Sequence, residues 1–306
     1  MGDTPERVGK SLHMAPLRSG GALHYLERML HTRTAMTWYE SLAAPDPGRH
    51  IAQLYTDAGF LVRAVTRFAA EGLARGEGVV IIATPLHLRA VTDRLLDHHL
   101  DVDALRRRGA LVSVDAVECL TGLLVGGMPD KERFRASVGR ILEEMTGRGF
   151  ARIRAFGEMV DLLRPCSVEA ALRLEALWDE VLLVHGVSLL CGYSIDNFDP
   201  HAHRALVPRV AQAHSDLIPV EDYDRLERAV RRAYQDVFGE GGDGDTLRRM
   251  FIRHYDAPAA MPDGQAAILA AMAFVPTAGE LLVDRAARYY TALAENSPPE
   301  PVRAPH

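Results

Sequence analysis

The chain has 306 residues, 48% hydrophobic and 25% charged, with a formal net charge of −6, which is enough for one large globular domain and a small one. The acidic balance argues against a dominant phosphate-backbone surface, so direct nucleic-acid binding is not expected. No apolar run approaches the ~20 residues of a membrane helix, and the N-terminus lacks the charged-then-apolar plan of a signal peptide, so no membrane association and a cytoplasmic location are expected.

Residues 1 to about 20 are polar, with scattered Gly and Pro, and read as a disordered tail. Leu23, Leu26, Met29 and Leu30, continued by Met36, Trp38, Tyr39 and Leu42, are helically spaced up to the Pro45-Asp46-Pro47-Gly48 breaker. This N-terminal part, 1–47, shows no basic face and little of a second helix, so it does not read as a helix-turn-helix. From His50 strands and helices alternate. Ile51 to Tyr55 is a short strand, and Thr56-Asp57 caps a helix running to about Arg75. Val79 to Ala83 is a fully apolar strand, and Pro85 opens a helix to about His99. A short helix over Val102 to Arg108 precedes the strand Ala110 to Val114, with Asp115 at its carboxyl end. A helix over Val117 to Leu124, a loop over Gly126 to Asp130 and an amphipathic helix over Lys131 to Arg148 follow.

The stretch from Ala151 to Tyr193 reads as a βαβ unit. A buried strand, Ala151 to Phe156, leads through Gly157-Glu158-Met159 into a helix with Ala171, Leu174, Leu177, Trp178 and Val181 on one face. The apolar run Val187 to Tyr193 closes it. A right-handed crossover makes the two strands parallel. Asn197 to His214 holds a loop and a helix, ended by Ile218-Pro219. Five strands, continuously apolar rather than alternating, predict a three-layer α/β sandwich with a mostly parallel sheet covered on both faces. Beyond Asp222 the stretches Tyr223–Phe238, 246–254, 264–274 and 277–293 all read as helices, a small helical module before a proline-rich tail.

Three cysteines, Cys119, Cys166 and Cys191, are too few and too widely spaced for a disulfide framework or a zinc motif, and Cys191 reads as a buried structural thiol. The two lysines, Lys10 and Lys131, follow no glycine-rich strand end, so a GxxxxGK[ST] phosphate loop is absent and Schiff-base chemistry has no candidate. His98-His99 and His201-x-His203 lack Cys, Asp or Glu at ligand spacing, and residues two apart on a helix do not share a face, so no metal site is expected. Ser188 and Ser194 lack the context of a serine elbow, and no catalytic residue is assigned.

Phe156-Gly157-Glu158-Met159-Val160-x-Leu162-Leu163, followed by Ala170-Ala171-x-x-Leu174-Glu175-x-Leu177-Trp178 and then Ser188-Leu189-Leu190-Cys191-x-Tyr193, resembles the signature of the MEDS domain. That is the sensory domain of methanogens, methylotrophs and DcmR-type regulators. Further matches fall in order: His50 with Tyr55, Gly72-Leu73 ahead of Gly76-Glu77, Asp115-Ala116, Gly127-x-Pro129-Asp130 with Phe134, and His214 with Pro219, Glu221 and Tyr223. The resemblance spans about 48–223 and leaves 224–306 as a helical module with a tail. Pro165-Cys166-Ser167 departs from the family's usual tryptophan- and glycine-containing turn, and Gly192 stands where alanine is usual. The resemblance implies a RecA-like fold without a phosphate loop and a role in sensing small molecules within regulatory or signalling proteins.

Ligands of open parallel sheets lie beyond the carboxyl ends of the strands, which makes Glu158, Asp115 and Tyr193 the expected lining of an effector site, with Asp196, His214 and Tyr55 as further candidates. Each has a structural alternative. Glu158 can stabilise the next helix or pair with Arg152 or Arg154. Tyr193 and Asp196 can anchor a loop, and His214 can cap a helix. Trp178 reads as core, and His50, at the amino end of its strand, as a structural hydrogen-bonding group. The function expected is a sensory or regulatory protein that binds a small-molecule effector, of unidentified chemistry, and signals through the helical module, a regulatory protein partner or a homodimer. The alternatives are a nucleotide-binding ATPase-like relic or degenerate enzyme, and a scaffold with an empty pocket.

Overall fold

The computed structural model describes residues 37–239 and 243–295. The expected N-terminal tail, most of the first helix and the proline-rich C-terminal tail lie outside the described residues. Helix α1 (Trp38–Ala43) opens on a capping box between Thr37 and Glu40. The sheet then begins with β1 (His50–Tyr55), followed by α2 (Ala58–Ala74), β2 (Gly78–Ala83), α3 (Pro85–Asp97), α4 (Val102–Arg107) and β3 (Leu111–Asp115). Asp57, Asp101 and Asp115 each accept backbone N–H groups at the start of α2, α4 and α5 (Ala116–Leu123), which is why those helices begin there.

Two elements differ from the sequence expectation in the next segment. Leu124–Val125 (β4) and Met128–Pro129 (β5) form a small antiparallel hairpin where a loop was expected, because Gly126 and Gly127 both take positive φ and turn the chain back on itself. The following helix is α6 (Lys131–Phe134) and α7 (Arg140–Gly147), joined through a π-helical turn at Arg135–Gly139. Strand β6 (Ile153–Gly157), helices α8 (Met159–Leu163) and α9 (Val168–His185), and strand β7 (Ser188–Ser194) make the βαβ unit, with Gly186 in the left-handed conformation ending α9. After α10 (Pro200–Ala205) and α11 (Val207–Ala213) comes a sixth strand, β8 (Asp216–Ile218). Three residues ahead of a proline carry too little periodicity to stand out in the sequence.

The strands lie in the order β3-β2-β6-β7-β1-β8, and every pair is parallel. Helices cover both faces, as continuous apolarity demands: β2 is buried at all six positions. Leu42, Phe60, Phe68, Val91 and Leu95 pack with Ile51, Val79, Ile81, Phe156 and Leu190 on one face. Trp178, Leu174, Phe134, Leu142 and Val210 pack with Ala52, Leu54, Val80, Ile82 and Leu189 on the other. Gly192, the departure from the family pattern, is a close-approach position: an added Cβ would lie 3.1 Å from Leu61 and 3.3 Å from the Phe156 ring.

Arg154 ties the first face together. It is almost completely buried, pairs with Glu77, and donates to the carbonyls of Leu42 and Phe68 at 3.0 Å and of Ala43 at 3.1 Å. A guanidinium without water needs this many acceptors. Arg152 also points to Glu77, at 3.8 Å, so neither arginine pairs with Glu158.

Beyond the sheet, α12 (Tyr223–Phe238), α13 (Asp243–His254), α14 (Asp263–Phe274) and α15 (Pro276–Glu295) surround their own core of Leu226, Val230, Tyr234, Phe251, Ile268, Leu282 and Val283. Helix α14 is buried from Gly264 to Met272, since its second side packs on the α/β part through Ala266 and Leu269. The loop before α14 extends the sheet edge: Leu217 N–H donates to Ala260 O, and Ala260 N–H to Ser215 O, both at 2.8 Å. Within this module Arg248 pairs with Glu227 at 2.8 Å and Arg225 stacks on Tyr290. Among the described residues no helix is long and apolar enough to cross a membrane.

His203 on α10 meets Gln265 of α14 at 3.1 Å, both side chains buried. Burial pushes the His203 imidazole down to about 4. A folded-state pKa below the usual 6.5 costs nothing at neutral pH and destabilises as pH falls, because the unfolded chain takes the proton first. Urea unfolding should therefore show a loss of up to about 3 kcal/mol between pH 6.5 and 4 that His203→Gln removes; identical acid limbs for the two proteins would refute it.

Candidate functional site

The connections leave β2 towards β3 and leave β6 towards β7, in opposite directions along the sheet, so the chain diverges between the neighbouring strands β2 and β6. The crevice beyond their carboxyl ends is the switch point of this fold. Glu158 sits there, directly after β6, and is buried. It accepts from Thr84 N–H at the end of β2, and its second oxygen meets His87 Nδ1 of α3 at 2.7 Å. The ring of Tyr55, the last residue of β1, lies 6.3 Å from that of His87. Burial, with the nearby carboxylates Asp161 and Glu158, pushes the Tyr55 hydroxyl above its ordinary range.

Tyr193 is brought elsewhere. Its backbone is near the end of β7, but its ring turns into the layer of α9 and α11, fully buried, and its hydroxyl donates to Glu175. Glu175 is one of four buried groups that converge under the sheet. His50 at the start of β1, Glu175 on α9, Cys191 in β7 and His214 just after α11 place one ligand-type atom each within 4.8 Å of one another. His50 Nε2 is 3.4 Å from Cys191 Sγ and 3.3 Å from Glu175 Oε2, and His214 Nε2 is 3.9 Å from Glu175 Oε1. The His50 and His214 rings lie 4.0 Å apart, tilted by 44°. Burial alone would raise the Glu175 pKa, but His214, His50 and the Tyr193 hydroxyl outweigh it and hold the carboxyl below its usual range. Burial and the neighbouring His50 push His214 down to about 4.

A third feature lies between these two. A narrow cleft among α8, α9 and α11 is lined by Val160, Ala171, Leu172, Leu206, Val210 and Ala213, with Glu175 and Tyr193 at its floor. Arg164 and Arg209 stand along it; Arg164 is held by Asp161 at 2.9 Å and by the Ser194 carbonyl. The cleft runs along the amino-terminal half of α9, the half nearest the carboxyl edge of the sheet.

Asp115 accepts from Val117 and Glu118 N–H groups as the cap of α5, and Asp196 accepts from Phe198 N–H in an exposed turn. Of the six candidates, the structure brings Glu158 and Tyr55 together in the crevice and Tyr193 and His214 together in the buried cluster. His98, His99 and His201 join no convergent group of metal-ligating residues among the described residues. Lys131 opens α6 and pairs with Glu180, away from the strand ends. His87, Glu175 and Asp179 carried no local chemical signal: each is a polar residue on an amphipathic helix, made part of a site by residues from other elements.

A family model matches residues 49–214, over half of the chain, under the description MEDS, MEthanogen/methylotroph, DcmR Sensory domain. The chain belongs to the MEDS family. No curated protein matches it. The matched span begins one residue before His50 and ends on His214, so the MEDS domain contains the crevice, the cleft and all four cluster residues, Glu175 and Cys191 well inside it and the two histidines at its ends. The sensory role expected from the sequence therefore stands at the level of the family.

The ion pair in the crevice gives a pH signature. Hydrogen bonds from His87 and Thr84 hold Glu158 down against burial, and the bond to Glu158 holds His87 up. The stabilisation from Glu158 is present above its ordinary 4.5 and lost as pH falls through the lowered value; that from His87 is present below 6.5 and lost as pH rises through the raised one. Glu158→Gln should thus cost most stability between roughly pH 4.5 and 6.5 and less on either side. Chemical denaturation at pH 5.5 and 9 measures this, and an equal cost at both would contradict the pairing.

Proposed function

We propose that this MEDS domain senses a small, largely apolar effector carrying one polar group, held in the cleft beside the carboxyl edge of the sheet. The observation that carries the reading is the composition of that cleft: aliphatic walls from α8, α9 and α11, with the buried polar residues Glu175 and Tyr193 among those lining it. Mostly apolar walls supply affinity, while a few fixed polar groups orient the ligand. The Glu158–His87–Tyr55 crevice is the adjoining polar station, and Arg164, which borders the cleft and bonds Asp161, stands between the two.

Signalling follows from which helix the effector touches. Val210 and Ala213 of α11 line the cleft, and α11 continues from α10, whose His203 meets Gln265 of α14. A shift of α10 and α11 on occupancy would reach the C-terminal helices through that buried contact and bias them towards a protein partner or a second copy of the chain.

Native mass spectrometry of the purified chain tests the reading. A co-purifying small molecule should be retained by the wild type and lost in Ala213→Trp, whose indole fills the half-buried wall of the cleft. Retention in Ala213→Trp together with loss in Glu158→Ala would move the effector to the crevice and overturn the assignment.

A further inference from the structure

We infer that His50, Glu175, Cys191 and His214 form a binding site for a divalent transition-metal ion of the zinc type, buried behind the floor of the cleft. The inference is independent of any effector in the cleft.

The first argument is distance. Around a tetrahedral zinc ion, with bonds near 2.0 Å to nitrogen and oxygen and 2.3 Å to sulfur, neighbouring ligand atoms lie about 3.3–3.8 Å apart. All four ligand atoms lie within 4.8 Å of one another, and the close contacts are 3.3 Å between His50 Nε2 and Glu175 Oε2, 3.4 Å between His50 Nε2 and Cys191 Sγ, and 3.9 Å from His214 Nε2 to the other carboxylate oxygen, Glu175 Oε1. Two imidazole nitrogens, one sulfur and one carboxylate oxygen suit zinc among divalent ions, whereas magnesium and calcium require oxygen.

The second argument is the outer shell. His50 Nδ1 meets Asp179 Oδ1 at 3.1 Å, and His214 Nδ1 meets the Val210 carbonyl at 2.7 Å. With Nδ1–H donating in each case, both rings present an Nε2 lone pair to the centre of the cluster. A carboxylate or a backbone carbonyl on the far nitrogen is how metal-bound histidines are oriented. Tyr193, donating to Glu175, fixes the carboxylate in the same way.

The third argument is an unmet need. His214 Nε2 and Glu175 Oε2 are buried without a hydrogen-bond partner, and the His214 side chain has 0% exposure. An imidazole nitrogen and a carboxylate oxygen left without partners in a dry interior destabilise the fold unless a cation or proton reaches them. A metal ion satisfies both at once. It also cross-links β1, β7, α9 and the end of α11, which are distant in sequence.

Elemental analysis of the full chain after zinc loading and desalting should find about one zinc per chain. Cobalt added to chelator-treated protein should produce visible d–d bands and a sulfur-to-cobalt charge-transfer band. Cys191→Ser should remove that charge-transfer band, and Glu158→Gln should leave it unchanged. Asp179→Asn, which alters only the outer shell, should weaken cobalt affinity about 10–100-fold. Should the ligand variants fail to fold, X-ray absorption on the wild-type zinc protein decides alone: one sulfur and three nitrogen or oxygen neighbours support the site. A first shell without sulfur, or a chain that retains neither zinc nor cobalt, overturns it.

Discussion

A carboxylate almost without access to water sets the terms for the centre of this molecule. Glu175 lies on the inner face of α9, where an apolar residue would serve packing better, and its charge has to be balanced by neighbours. Tyr193 donates to it from β7, His50 faces it from β1 and His214 from the end of α11. These three partners come from three elements other than α9 itself, so satisfying one carboxylate fixes how α9 and α11 sit on the sheet. The apolar residues around it, Trp178, Leu174, Leu189 and Ala52, supply the burial but could tolerate small sliding; directional polar contacts tolerate much less.

The sheet topology explains why the polar groups gather as they do. Leftward connections use one face and rightward connections the other, as right-handed crossovers require, and the two sets diverge between β2 and β6. Glu158, Thr84 and His87 meet at that divergence. The helices of the rightward set, α8 to α11, enclose the cleft and the buried cluster. Both regions therefore share the βαβ unit from β6 to β7, with Glu158 at its first turn and Cys191 and Tyr193 on its second strand. The C-terminal helices pack against the same assembly through α14, with His203 and Gln265 forming a polar contact in an otherwise apolar interface.

Much of this arrangement was legible in the sequence. Continuous apolar runs at 79–83 and 187–193 can bury both faces only in a covered parallel sheet. Asp57 and Pro85 mark where α2 and α3 begin, and the spacing of Leu174, Leu177, Trp178 and Val181 shows which side of α9 faces inward. Glu158 was legible as a strand-end carboxylate, though its partner His87, seventy-one residues earlier, was not. β8 is not legible there because three residues carry no period, and its place is decided by pairing to β1 on one side and to the Ala260 loop on the other. Tyr193 was placed by its backbone at the sheet edge, whereas its side chain follows the alternation of the strand into the helix layer beneath.

The sequence by itself determined the alternation of elements, the parallel sheet, the helical C-terminal region and, through the motifs around Gly157, Glu175 and Cys191, the MEDS family. These are local or nearly local properties, written in periods of two and 3.6 residues and in short runs. Only the tertiary structure decided that His50, Glu175, Cys191 and His214, spread from one end of the matched domain to the other, share one dry pocket beneath the sheet. Strand order decides such meetings. It arises from which crossovers pack best, a property of the whole chain that no window of residues contains.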